Sequence, residues 1–174
     1  MAQSHDSNCT PTAAELSALA GRLAADQTTM TLATAEDGEP WAAPVYYVFF
    51  RSAFYFMSPP ESRHIKKALE NGRASSAIYA SGSTWQEIRG LQMAGNLNPV
   101  SGGLEAFQGL REYLKKFPFT KEFFKNNTTM DPKHFWERFG VKLYRFYPSL
   151  VYYLDNRIRF AFREEVKFLG VTNK

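Results

Sequence analysis

Residues 30–58 read MTLATAEDGEPWAAPVYYVFFRSAFYFMS, and the fold is decided by how they pair. Three runs rich in β-branched and aromatic residues stand out: MTLATA (30–35), PWAAPVYYVFF (40–50) and AFYFMS (53–58). Between the first two lies Glu36-Asp37-Gly38-Glu39, whose Asp-Gly pair tolerates the positive φ angles of a tight hairpin turn. Arg51-Ser52 separates the second run from the third. Connections this short leave antiparallel pairing as the only solution, because a parallel crossover needs a dozen or more residues. A three-stranded meander is the expectation.

On the N-terminal side, residues 1–11 are polar and patternless and read as a loose tail. Thr12 and Glu15 form a T-x-x-E capping box. Leu16, Leu19 and Leu23 then recur at helical spacing, which predicts a helix over 12–26. On the C-terminal side, Ser58 and Glu61 suggest a second box with Pro59 at the first helical position. The helix that follows buries Ile65, Ala68 and Leu69 and ends at Gly72. RASSAIYA (73–80) reads as a fourth strand and residues 84–100 as a long fifth, bent or bulged at Gly90 and Gly95. Residues 104–117 read as a helix with Leu104, Phe107, Leu110, Leu114 and Phe117 on one face. Short helical pieces are expected over 120–126 and 132–139. Strands follow over 141–156 and 157–169, joined at Asp155-Asn156. Helices do not alternate with strands, so a doubly wound parallel sheet is disfavoured. The pattern predicts a mainly β chain: a small antiparallel barrel of six or seven strands with peripheral helices, one domain over 12–174.

Composition narrows the class. The chain has 174 residues, 44% hydrophobic and 22% charged, which suffices for a core without disulfides or metal. A single Cys9 builds neither a bridge nor a thiolate metal site. No apolar run reaches the 18 or more residues of a membrane span, and no signal peptide opens the chain, so the cytoplasm is expected. Charge is uneven: residues 1–110 hold 7 basic and 10 acidic side chains, residues 111–174 hold 14 and 7. A basic, aromatic C-terminal third could bind nucleic acid. Phe107, Phe117 and Phe139 fall at core-like spacing, which favours packing over that reading.

Hydrolase, nucleotide-loop and dithiol signatures are missing. His5, His64 and His134 have no metal-ligand spacing, so no metal site is expected. One segment is physically odd. Helix N-termini disfavour cations, yet Arg63, His64, Lys66 and Lys67 crowd the start of the helix after Ser58. Exposed backbone N–H groups, the hydroxyls of Ser58 and Ser62 and a guanidinium together suit a phosphate or sulfate. The same residues also read as a solvated basic face. Gln92, a lone amide in an apolar strand, reads either as a ligand contact or as an exposed strand residue.

The ordered set of parts resembles the pyridoxamine 5′-phosphate oxidase-like, FMN-binding split β-barrels over roughly residues 12–170. Those parts are TLAT, DGEPWAAPVYY, FYFMS, Ser62-Arg63-His64, KKALENGRASSAIY and IRGLQMAG. Ile88–Gly95, Phe117-Pro118 and Asp155-Asn156 also match a small bacterial branch marked by I-R-G-x-Q-x-x-G. The resemblance implies a homodimer with FMN at the subunit interface and redox chemistry on a small molecule, or flavin binding without turnover. Haem or deazaflavin on the same fold is a further option, for which His64 is the one well-placed histidine. Carried over by position, Ser62, Arg63 and His64 match the segment that grips the FMN phosphate. Met57 and Ser58 match the strand end beside the ribityl phosphate. Val45, Tyr46 and Tyr47 match the strand whose backbone lines the isoalloxazine edge, and Gln92 matches a flavin contact from the later strand. Trp136 or Arg163 would reach the partner's site. Two departures stand out. Arg159-Phe160-Ala161 replaces a G-F-G pattern and would crowd a flavin there. The substrate-binding arginine and histidine of the vitamin oxidase have no counterpart, so pyridoxamine phosphate oxidation is not expected.

Overall fold

The computed structural model describes residues 10–120, 137 and 139–168. Cys9, His5, His134, Trp136 and nearly all of the helical pieces expected over 120–126 and 132–139 lie outside them. Seven strands appear: β1 (Thr29–Glu36), β2 (Glu39–Phe50), β3 (Ala53–Ser58), β4 (Arg73–Tyr79), β5 (Arg89–Pro99), β6 (Lys142–Asp155) and β7 (Arg163–Glu165). Three helices accompany them: α1 (Ala13–Asp26), α2 (Arg63–Asn71) and α3 (Gly103–Lys116). The sheet order is β3-β2-β1-β4-β5-β6-β7, and β3 also pairs with β6. That extra pairing closes six strands into a barrel-like ring and leaves β7 outside it. Every pairing is antiparallel, and the meander over 30–58 stands as expected.

Alternation builds the core. Met30, Leu32, Val45, Tyr47, Phe54, Phe56, Leu91, Met93, Tyr144, Phe146 and Tyr153 point inward and meet α1 and α2. A second cluster joins Val48, Tyr55, Leu143, Tyr113 and Phe117 beneath α3. The Thr12–Glu15 box is formed, with Thr12 N–H donating to Glu15 at 2.8 Å. At Gly95 the register of β5 against β6 shifts, as expected, and a Cβ there would stand 2.2 Å from the Tyr147 carbonyl oxygen.

Five local expectations are corrected. The box at Ser58 and Glu61 does not form, and α2 begins at Arg63 with Ser62 as its N-cap. Pro60 forces the residue before it out of helical geometry, so Pro59 cannot open a helix, and Ser58 stays in β3 opposite Lys142. Within α2, Ile65 and Ala68 are buried but Leu69 is 41% exposed. Residues 84–88 are not strand: Trp85–Glu87 form a 3₁₀ turn tied by Ser83 N–H to the Glu87 carboxylate at 2.7 Å. In α3 the buried side is Ala106, Gly109, Leu110, Tyr113 and Leu114, while Leu104 is 71% exposed. A Cβ at Gly109 would stand 3.0 Å from the Tyr55 ring, so the close-packed side is the one with small residues. Residues 157–162 form a wide turn, and only Arg163–Glu165 pair as β7. Buried Asp155 draws the chain into this turn by accepting from Arg157 N–H, Arg157 Nε and the Tyr153 hydroxyl, at 3.0, 2.9 and 2.6 Å.

Candidate functional site

Strands β2 and β3 part company halfway along. Tyr47–Phe50 pair with Ala53–Phe56, but Glu39–Tyr46 pair only with β1. Past Phe56, β3 runs beside β6, with Met57 opposite Leu143 and Ser58 opposite Lys142. Among the described residues, one backbone edge of β2 from Glu39 to Tyr46 therefore has no strand partner. Val45, Tyr46 and Tyr47 lie at this fork. Val45 and Tyr47 turn their side chains into the core, where the Tyr47 hydroxyl donates to the Ala24 carbonyl at 2.8 Å. Burial pushes the Tyr47 hydroxyl's pKa well up, so it stays protonated. The Tyr46 ring faces the other way, edge-on to Phe117 at 5.4 Å. What these residues can offer a ligand in the fork is their backbone.

The start of α2 stands beside the fork. Ser58, 3% exposed, brings its hydroxyl within 2.9 Å of His64 Nε2 and 3.1 Å of the Ser62 hydroxyl. Ser62 donates to the Pro59 carbonyl at 2.7 Å and makes no side-chain cap bond. The first turn holds no acidic residue. Because the first N–H groups of a helix lack intrahelical acceptors, those of Arg63 and His64 are left at an uncapped, electropositive end. Burial holds His64 below the usual imidazole range, so it is neutral at pH 7. The neighbouring cations have carboxylate partners: Lys66 with Glu61 at 2.6 Å, Lys67 with Glu36, and Arg63 with Glu39 at 3.5 Å. The Arg63 guanidinium also lies 4.4 Å from the centre of the Trp41 ring. Hydroxyls, helix N–H groups, an imidazole and a guanidinium form a donor set that fits a phosphate monoester. Met57 adds only backbone here, since its side chain packs under α3.

Ser58, Ser62, Arg63 and His64 are thus brought together, next to the strand of Val45, Tyr46 and Tyr47. Gln92 is not with them. It stands on the outer face of the sheet, in a groove of about 330 Å³ shared with Thr31, Ala77, Tyr152 and Arg163. Arg159 and Ala161 are also remote. Their turn follows the end of β6 at Asp155, whereas Lys142, opposite Ser58, begins that strand, roughly 40 Å away along an extended chain. Arg159 folds back over the Phe162 ring at 5.1 Å, and Ala161 takes φ 57°, the conformation a glycine would favour. A larger cavity of about 610 Å³, lined by Pro60, Val100, Lys142 and Leu143, opens on the β6 side of β3. Sequence reasoning missed Glu39 and Trp41. Strand alternation puts them on one face, but nothing local joins them to a residue 24 positions away.

Among the described residues no cluster of His, Cys, Asp or Glu could hold a metal ion, and no helix is long and apolar enough to cross a membrane. The family model for pyridoxamine 5′-phosphate oxidase matches residues 18–138. A UPF0306 protein of Klebsiella pneumoniae is 31% identical over 109 residues, which is 62% of this chain and 74% of the relative. The fold is similar to that of a heme binding protein from Mycobacterium smegmatis, with TM-score 0.68 and 19% identity. That likeness covers 92% of this chain and 60% of the longer mycobacterial one. It is also similar to a FAD-binding protein from Mesorhizobium loti, with TM-score 0.59, 15% identity and coverage of 77% and 90%.

Proposed function

Because the chain belongs to the pyridoxamine 5′-phosphate oxidase family, we propose that it is a cytoplasmic FMN-binding flavoprotein, an oxidoreductase acting on a small molecule. The observation that carries this reading is the uncapped start of α2, ringed by Ser58, Ser62 and His64, beside the unpaired edge of β2. Ser58, Ser62, Arg63 and His64 hold the phosphate, and the backbone of Val45, Tyr46 and Tyr47 lines the edge of the ring. A bound flavin supplies the electron-transfer chemistry, so no catalytic side chain is required. The protein's part is to orient the ring on a rigid strand and to keep water from one side of it.

The site is completed by a second copy of the chain. Two cross-strand rows face outward: Pro44, Thr31, Ala77, Gln92, Tyr152, and Ala42, Ala33, Ser75, Ala94, Leu150. Neither row carries a charge. A solvent-facing sheet surface is ordinarily polar, and an uncharged one suits a subunit interface. Gln92 and Arg163 on that face would then meet the partner's cofactor.

The rival reading is haem bound on the same fold. It is supported by the similarity to the mycobacterial heme binding protein and opposed by the engagement of His64 Nε2 with Ser58. An absorbance spectrum of the purified protein, before and after FMN is added and the excess removed, decides between them. A two-band flavin spectrum with FMN released on denaturation is expected. A Soret band would replace FMN with haem, and a colourless protein that takes up no FMN would overturn the flavin reading. Reduction of the bound flavin by NADH or NADPH, with turnover of an acceptor, separates an enzyme from a carrier.

A further inference from the structure

We propose that Glu39 is a competitor built into the cofactor site: its carboxylate holds the Arg63 guanidinium against Trp41, and an incoming phosphate takes its place. The inference rests on the FMN reading above and extends it to two residues outside the phosphate-gripping segment. Arg63 opens α2, which follows β3, while Glu39 and Trp41 lie on the half of β2 that β3 has left. Two positions apart on a strand, Glu39 and Trp41 share a face. The Arg63 side chain thus crosses from α2 to the unpaired part of β2, with Glu39 Oε2 at 3.5 Å and the Trp41 ring centre at 4.4 Å.

This arrangement spends the Arg63 guanidinium on an internal anion. The contact is long and open to water, with the Arg63 and Glu39 side chains 43% and 76% exposed. Such pairs are weak, while a guanidinium on a phosphate makes short, charge-assisted bonds. Exchange therefore favours the phosphate. Glu39 consequently sets affinity for phosphorylated ligands and leaves affinity for an unphosphorylated analogue unchanged.

The test measures binding of FMN and of riboflavin by flavin fluorescence in wild type, Glu39→Gln, Arg63→Ala and the double variant. Arg63→Ala should weaken FMN by one to two decades. Glu39→Gln should tighten FMN about two- to fivefold, leave riboflavin unchanged, and lose its effect in the Arg63→Ala background. Unchanged or weaker FMN binding in Glu39→Gln, or equal tightening without Arg63, would overturn the proposal. Both side chains are well exposed, so the variants should melt with wild type. A second titration, of inorganic phosphate against tryptophan emission with Trp41→Phe as the blank, separates the two readings. If wild type takes up no FMN, yet phosphate changes Trp41 emission through Arg63, the FMN reading falls and the exchange stands. If phosphate leaves Trp41 emission unmoved, the exchange falls.

Discussion

An imidazole at His64 titrates where an arginine or lysine would stay charged, so the proposed phosphate cradle should be sensitive to pH. Burial lowers its pKa in the free protein, whereas a phosphate beside it would favour the imidazolium. Binding then takes up a proton between the lowered free value and the raised bound one. Affinity is highest at low pH and declines as pH rises through the bound-state pKa, by at most tenfold per unit. The phosphate itself titrates near pH ~6, so the informative quantity is the ratio of affinities for wild type and His64→Gln between pH 5.5 and 8. The ratio should fall as pH rises, and a flat ratio would place His64 outside the phosphate site. The crowding of basic residues at Arg63, His64, Lys66 and Lys67 was legible in the sequence because it breaks a local rule about helix ends. The hydroxyl of Ser58 was read both as a phosphate contact and as a helix cap, and the cap does not form. Its true position depends on pairing with Lys142, 84 residues on. Glu39 and Trp41 were not legible at all, since their bond to Arg63 is made by the closure of the barrel and not by spacing.

Elements followed the sequence wherever periodicity alone sets them and departed wherever a backbone contact or a polar lock intervenes. Strands β1 to β4 and helix α1 were read correctly from alternation, an Asp-Gly turn and a capping box. Helix α3 was read correctly in extent and in placing Leu110, Leu114 and Phe117 inward, but Leu104 and Phe107 were assigned inward by their size and stand exposed, while Gly109 packs against Tyr55. The strand expected over 157–169 alternates well on paper, yet a buried carboxylate at Asp155 captures Arg157 and bends the chain. Gly95 is the opposite case, a bulge foreseen from a glycine inside a strand. A methyl group there would meet the Tyr147 carbonyl oxygen at 2.2 Å and Pro148 Cα at 2.6 Å, both backbone atoms that cannot swing aside. Gly95→Ala should therefore cost about 2–4 kcal/mol, read as a lower midpoint in urea. An unchanged midpoint would mean that β5 and β6 are not held in this register.

At the scale of the molecule, the barrel explains one surface and leaves another unexplained by a single chain. The inner faces of β1, β4, β5 and β6 close over a core of Leu32, Ile78, Leu91, Met93 and Tyr153. Their outer faces present Thr31, Ala33, Ser75, Ala77, Gln92, Ala94 and Leu150. Alternation in β4 makes the contrast plain, since Ala74, Ser76 and Ile78 are buried while Ser75, Ala77 and Tyr79 are exposed. The small residues Thr31, Ala33, Ser75, Ala77 and Ala94 let another backbone approach closely, and the two rows carry none of the lysines that guard a solvent-facing sheet against association, with Arg163 lying over Tyr152 at their edge. Ala77 is the middle residue of one outward row, paired with Thr31 on one side and Gln92 on the other. Ala77→Glu places a charge at that centre without touching the core or the phosphate cradle. The expected result is a wild-type dimer by sedimentation and a folded monomer for the variant, with unchanged circular dichroism. FMN affinity should drop by tenfold or more along with the dimer, because half of the ring's surroundings would come from the partner. If the variant stays dimeric, this face is not the interface. If it becomes monomeric and still binds FMN as wild type does, the cofactor is held within one chain, and Gln92 and Arg163 have no part in the site.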